Sequence, residues 1–169
     1  FALSVVVGVP LAMLIAYSRT VEGYVYPLLV FSQSIPKIAV APLFVVWFGF
    51  GIVPKVICAF LLAVFPVIVA TVTGFKSVEP ELLDLARSMR VGRFKTFWFI
   101  ALPHSLPHLF SGLKVSITLV VVGAVVGEFV GSNSGLGYVL QIANGNFVLP
   151  LMFAALVVLS AIGVALFGL

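Results

Sequence analysis

Long apolar runs separated by brief polar breaks dominate this chain. Phe1 to Tyr17 carries no charge, Val56 to Phe75 is uncharged for 20 residues, and Phe147 to Leu169 is uncharged for 23. A helix rises 1.5 Å per residue, so about 20 such residues cross a hydrocarbon layer about 30 Å thick. Each run therefore predicts a spanning helix. His108 to Val130 predicts another, with Lys114 near its start and Glu128 near its end, each close enough to an interface to reach water. Tyr24 to Phe50 is also apolar, but Pro27, Pro36 and Pro42 forbid one straight helix there. The pattern predicts an all-α fold: a polytopic transmembrane helical bundle with about five spans, forming one domain over 1–169. The first span is short and starts at Phe1, so an amino-terminal segment is expected to be missing.

Composition excludes an ordinary soluble domain, because hydrophobic residues make up 63% and the mean hydropathy is +1.32. Charge then supplies orientation. If successive spans alternate, Arg19, Lys76, Arg87, Arg90, Arg93 and Lys95 share one side, and the opposite loops offer only Lys55. The positive-inside rule makes the basic side of this multi-pass chain cytoplasmic. The net charge of +4 thus reflects topology, and no basic, aromatic face of a soluble module points to nucleic acid. The lone Cys58 lies within an apolar span, as a packed thiol does.

Residues 76–107 hold eight of the fourteen charges, so contact with water-soluble machinery is expected there. Pro80 suits a first helical position, Glu79 and Glu81 suit the positive end of a helix dipole, and Leu82, Leu85, Ala86 and Met89 recur at helical spacing. Gly92 then permits a turn. Phe94, Phe97, Trp98 and Ala101 form a second stripe that Pro103 is expected to end. This helix, turn, helix hairpin has two physical readings. It lies on the membrane with its basic residues on lipid phosphates, or it is a knob that fills a groove on a partner.

Asp84-Leu85-Ala86 followed by Ile100-Ala101-Leu102-Pro103 resembles the cytoplasmic EAA loop of ABC importer permeases, whose pattern runs E-A-A-x3-G-x9-I-x-L-P. The segments 35–55 and 123–140 are similar to those flanking that loop in the branch of nitrate, sulfonate, taurine and vitamin-precursor importers. The resemblance implies a permease subunit of an ATP-driven importer in a bacterial inner membrane. In it Glu81, Asp84, Leu85, Ala86, Met89, Arg90, Gly92 and Arg93, within 81–93, form the coupling helix that inserts into a cytoplasmic ATPase. It also implies a second permease subunit, as a homodimer, and an extracytoplasmic solute-binding protein. Asp84 and Leu85 depart from the pattern, and Arg90 stands where it has glycine, so the turn is expected to have moved to Gly92.

The broken span contains Ser32, Gln33, Ser34 and Lys37. Broken backbone at membrane depth is tolerated where it is buried or faces a watery cavity. Either residues 24–36 lie obliquely at the cytoplasmic interface and Lys37 reaches water, or Lys37 stands beside a translocation path. Glu128 is an interfacial carboxylate or a position on that path, and Gly123, Gly127 and Gly131 suit close helix packing. Leu136 to Ala143 is too short to span and reads as a partial helix dipping toward the pore, with 144–146 as the turn into the last span.

His104 and His108 lack further ligands to complete a metal site, and no cofactor is expected. No G-x4-G-K-[ST] loop occurs, so ATP chemistry of that kind must come from a partner, and the chain itself is not expected to be an enzyme. A scaffold or sensor subunit that docks a soluble partner without moving solute is the alternative. A secondary transporter fits less well, because no carboxylate lies near mid-membrane.

Overall fold

Ten prolines scattered through apolar sequence leave their marks on a fold that is helical almost throughout. The computed structural model describes residues 1–168; Leu169, the end of the last expected span, and the side chains of Arg19 and Arg93 lie outside the described residues. The helices run α1 (Ala2–Tyr17), α2 (Arg19–Ser34), α3 (Lys37–Phe48), α4 (Ile52–Lys76), α5 (Pro80–Ser88), α6 (Arg93–Thr96), a π-helical turn (Phe97–Ala101), α7 (Leu102–Gly131), α8 (Leu136–Gly145) and α9 (Leu149–Phe167).

Three segments are long and apolar enough to span singly: α4, α9, and the continuous helix from Phe94 to Gly131. The broken run supplies a fourth, as α2 and α3 meet at 88° around Ile35 and Pro36. α1 is apolar but has only sixteen residues, about 24 Å of helix.

The centre of the bundle is the antiparallel pair α4 and α7, fitted together through small residues. Ser105, Gly112, Ser116, Gly123, Gly127 and Gly131 form the buried face of α7. Opposite them lie Ala59 and Ala63, and Ser116 Oγ donates to the Ala63 carbonyl at 2.9 Å. In lipid, helices gain little from burying apolar surface against one another, so close backbone approach and buried hydrogen bonds hold such a pair. α1 closes one side, where Ala12 and Ile15 pack on Ile68 and Val72 of α4, while Ala41 and Phe44 of α3 pack on Cys58.

The expected helical end at Pro103 is not observed. Proline clashes with the carbonyl four residues back, and the chain accommodates this by widening one turn. Leu102 N–H bonds to the Phe97 carbonyl, five residues back, and the helix continues through Pro103 and Pro107. The second stripe divides accordingly. Phe97 stacks on Phe75 at 5.2 Å, whereas Phe94, Trp98 and Phe99 stand exposed.

Candidate coupling loop and membrane path

The charges sort by depth along α4. Lys76 pairs with Glu22 and lies 5.7 Å from the Tyr26 ring, so the starts of α2 and α5 gather at one end of the bundle. Lys55 marks the other end and sits 3.7 Å from Glu128. Neither pair was anticipated, although opposite charges at matching ends of consecutive antiparallel spans were a usable signal.

The segment leading into α5 is tied to that basic end by short-range contacts. Pro80 occupies the first turn of α5 and Glu81 supplies the acidic residue there. Val78 is buried, Ser77 Oγ donates to the Gly74 carbonyl at 2.9 Å, and His104 Nε2 donates to the Ser77 carbonyl at 3.2 Å. Thus the histidine serves the loop's base. The expected apolar stripe splits in two: Ala86 is 3% exposed, whereas Leu85 and Met89 are 58% and 69% exposed. Asp84 accepts from Arg87 Nη1 at 2.8 Å on the outer surface. Behind α5 a cavity of about 700 Å³ is lined by Tyr17, Phe75, Leu83, Arg87 and Phe97.

The turn after α5 corrects the sequence expectation. It has not moved to Gly92, which has an ordinary backbone and open space around it. Arg90 itself takes the left-handed conformation, at φ 53°. Its N–H bonds to the Arg87 carbonyl and the Val91 N–H to the Ala86 carbonyl, both at 2.9 Å. These are the paired bonds of a Schellman helix end, whose left-handed residue is usually glycine. An L-residue with a β-carbon is disfavoured there by about 1–2 kcal/mol. The backbone therefore keeps the shape that the glycine of the EAA pattern would give, at the same position, with arginine bearing the strain.

Of the expected path residues, Ser32, Gln33, Ser34 and Lys37 meet at the α2–α3 break. Lys37 Nζ donates to Gln33 Oε1 at 2.5 Å and lies 5.8 Å from the Phe65 ring. Phe65 is midway along α4, roughly 15–20 Å from either end. Lys37 Nζ thus lies level with the middle of α4. Ser32, Gln33, Lys37, Leu61 and Phe65 line a cavity of about 330 Å³. Ser34 is exposed, and Ser32 Oγ donates to the Leu29 carbonyl at 2.6 Å.

Glu128 stands apart from this group, at the Lys55 end. Its Oε2 accepts the Gly137 N–H at 3.0 Å, which caps the first turn of α8. Gly135, at φ 107°, leads into that turn, and a β-carbon there would collide with the same carboxylate. Glu128 therefore fixes the loop 132–135 to α7 while Lys55 offsets its charge. Replacing Glu128 with alanine should free the start of α8. A lost helix cap is worth about 1 kcal/mol, so hydrogen exchange across 132–140 should quicken several-fold while exchange across α5 stays unchanged.

These features define a multi-pass helical membrane protein with a small charged loop joining its two central helices. The family model for the binding-protein-dependent transport system inner membrane component matches residues 8–169, and the chain belongs to this inner-membrane family. It is similar to the formylaminopyrimidine transport permease protein ThiX of Halalkalibacterium halodurans, 42% identical over 96% of this chain and 65% of the relative. It is also similar to a probable ABC transporter permease of Haemophilus influenzae, 39% identical over 95% of this chain and 65% of the relative. The riboflavin transport system permease protein RibX of Chloroflexus aurantiacus is 40% identical over 91% of this chain and 58% of the relative. The chain thus spans somewhat less than two thirds of the length of these curated relatives.

Proposed function

We propose that this chain is the solute-conducting permease subunit of an ATP-driven importer and that α5 is its coupling helix. The observation that carries the reading is the two-sidedness of α5. One face is buried at Ala86 and the other presents Leu85 and Met89 bare, while Ser77, just before the helix, is hydrogen-bonded to Gly74 of α4 and His104 of α7. A helix so mounted passes a push from a partner into α4 and α7 and converts nucleotide-driven closure into alternating access. Glu81, Asp84, Leu85, Met89 and Arg90 meet the partner, Ala86 secures the mount, and Gly92 and Arg93 complete the turn. ATP is bound by the separate ATPase, a second permease subunit completes the path, and an extracytoplasmic receptor delivers solute.

The cavity at the α2–α3 break supports transport over a scaffold or sensor, which needs no cation, amide and hydroxyl at mid-depth. With Phe65 beside Lys37, the lining suits a flat polar heteroaromatic solute, and the names of the formylaminopyrimidine and riboflavin relatives favour that class. The test is reconstitution with the cognate ATPase and receptor in liposomes. ATP-dependent uptake of a pyrimidine or flavin, without uptake of taurine, is expected; absence of ATP-driven uptake of any solute the receptor binds would reject the reading. Lys37→Met should lower uptake about tenfold with assembly intact, since losing a charged hydrogen-bond partner costs about 1.5–3 kcal/mol. Unchanged uptake would remove Lys37 from the path.

A further inference from the structure

We infer that Arg90 is a specificity contact, its guanidinium pairing with a carboxylate on the wall of the ATPase groove that receives Leu85 and Met89. This rests on the docking role proposed for α5.

Three observations lead to it. Arg90 occupies a left-handed backbone position that glycine takes freely and arginine does not, and a glycine only two residues later does nothing to relieve it. Strain held in place by its surroundings concentrates where a side chain has work to do. Inside this chain Arg90 makes no ion pair among the described residues. Its neighbours differ: Arg87 is engaged by Asp84, and Lys76 by Glu22. The exposed guanidinium also lies one residue from Met89 and five from Leu85, both bare.

An apolar pair flanked by a free cation fits a groove with an apolar floor and an acidic wall. Arginine suits this because its planar fork can give a carboxylate two parallel hydrogen bonds, whereas lysine offers a point charge. A contact at the rim of an interface acts on selectivity and on association rate, and salt screens it. Arg90 thereby distinguishes the cognate ATPase from those of other importers in the same cell, while Leu85 and Met89 supply general adhesion.

The experiment titrates the full membrane subunit, in neutral-lipid nanodiscs, with its cognate ATPase at low and at high salt. Arg90→Gly should raise the thermal midpoint of the membrane subunit, because the strain is relieved. The same variant should bind the ATPase on the order of tenfold more weakly at low salt, with a flatter salt dependence. Arg90→Lys should retain part of the salt dependence. Leu85→Glu serves as the control that removes docking altogether. If Leu85→Glu abolishes binding but Arg90→Gly binds like the parent at both salts, the Arg90 contact is wrong and the docking role stands. If Leu85→Glu also binds normally, the docking role itself fails. A binding defect of Arg90→Gly confined to nanodiscs containing anionic lipid would assign the guanidinium to lipid phosphate and overturn the inference.

Discussion

Replacing Gly123 with leucine should weaken the pairing of α4 with α7 and lower the melting transition of the bundle. A β-carbon at Gly123 would lie 2.8 Å from the backbone nitrogen of Ala59 and 2.9 Å from the carbonyl oxygen of Cys58. Both are main-chain atoms of α4, so no side chain can swing aside. Overpacking a well-filled interior costs about 1–3 kcal/mol, and separating two backbones along their length should reach at least the upper end of that range. The chain carries its own reporter, since Cys58 is the sole cysteine and is 4% exposed. Thiol labelling of Cys58 during heating should begin well below the parent's transition in the Gly123→Leu variant. Gly163→Ala, on α9 with nothing within 4 Å, is the matched control and should melt like the parent. Equal melting of Gly123→Leu and parent would show that α4 and α7 do not meet there.

Leu85→Glu should remove the ATPase from the purified complex while leaving the membrane body folded. Leu85 is exposed, so a carboxylate there costs the isolated subunit little. Buried in a partner's apolar groove, that charge would be desolvated without a counter-ion, a penalty of several kcal/mol and enough to lower affinity a thousandfold or more. Co-purification and the Cys58 melting curve separate the two effects. Retention of the ATPase at parental stoichiometry would refute the docking role. Ala86 cannot serve this purpose, although it shares the predicted stripe with Leu85. It is buried, so a bulky residue there would also disturb the packing of α5.

Ala86 and Leu85 also show what the sequence could and could not convey. Hydrophobic periodicity located α5 and its apolar residues, but period alone does not say whether an apolar side chain meets its own protein or another. The helical bundle and its longest spans were legible from length and charge, whereas sixteen-residue α1 falls short of the spanning helix expected of it, and Gly123, Gly127 and Gly131 advertised close packing. The Lys55–Glu128 and Lys76–Glu22 pairs were not read, because they join residues far apart in sequence and depend on how deep each helix starts. The bond from Glu128 to the Gly137 amide was not legible for the same reason: it exists only after the loop folds back on α7. At Arg90 the residue type pointed away from a tight turn, and the helix-end hydrogen bonds imposed one regardless.

The widened turn at 97–101 amounts to one surplus residue threaded into an otherwise regular rod. A residue in an α-helix accounts for about 100° of rotation. Excising Phe99 would restore ordinary winding and swivel everything before it by roughly that angle, dragging Phe97 off Phe75 and turning α5 relative to the bundle. The angle at which residues 76–96 leave the bundle is therefore set by one extra residue in a helix whose hydrogen-bonded column stays continuous.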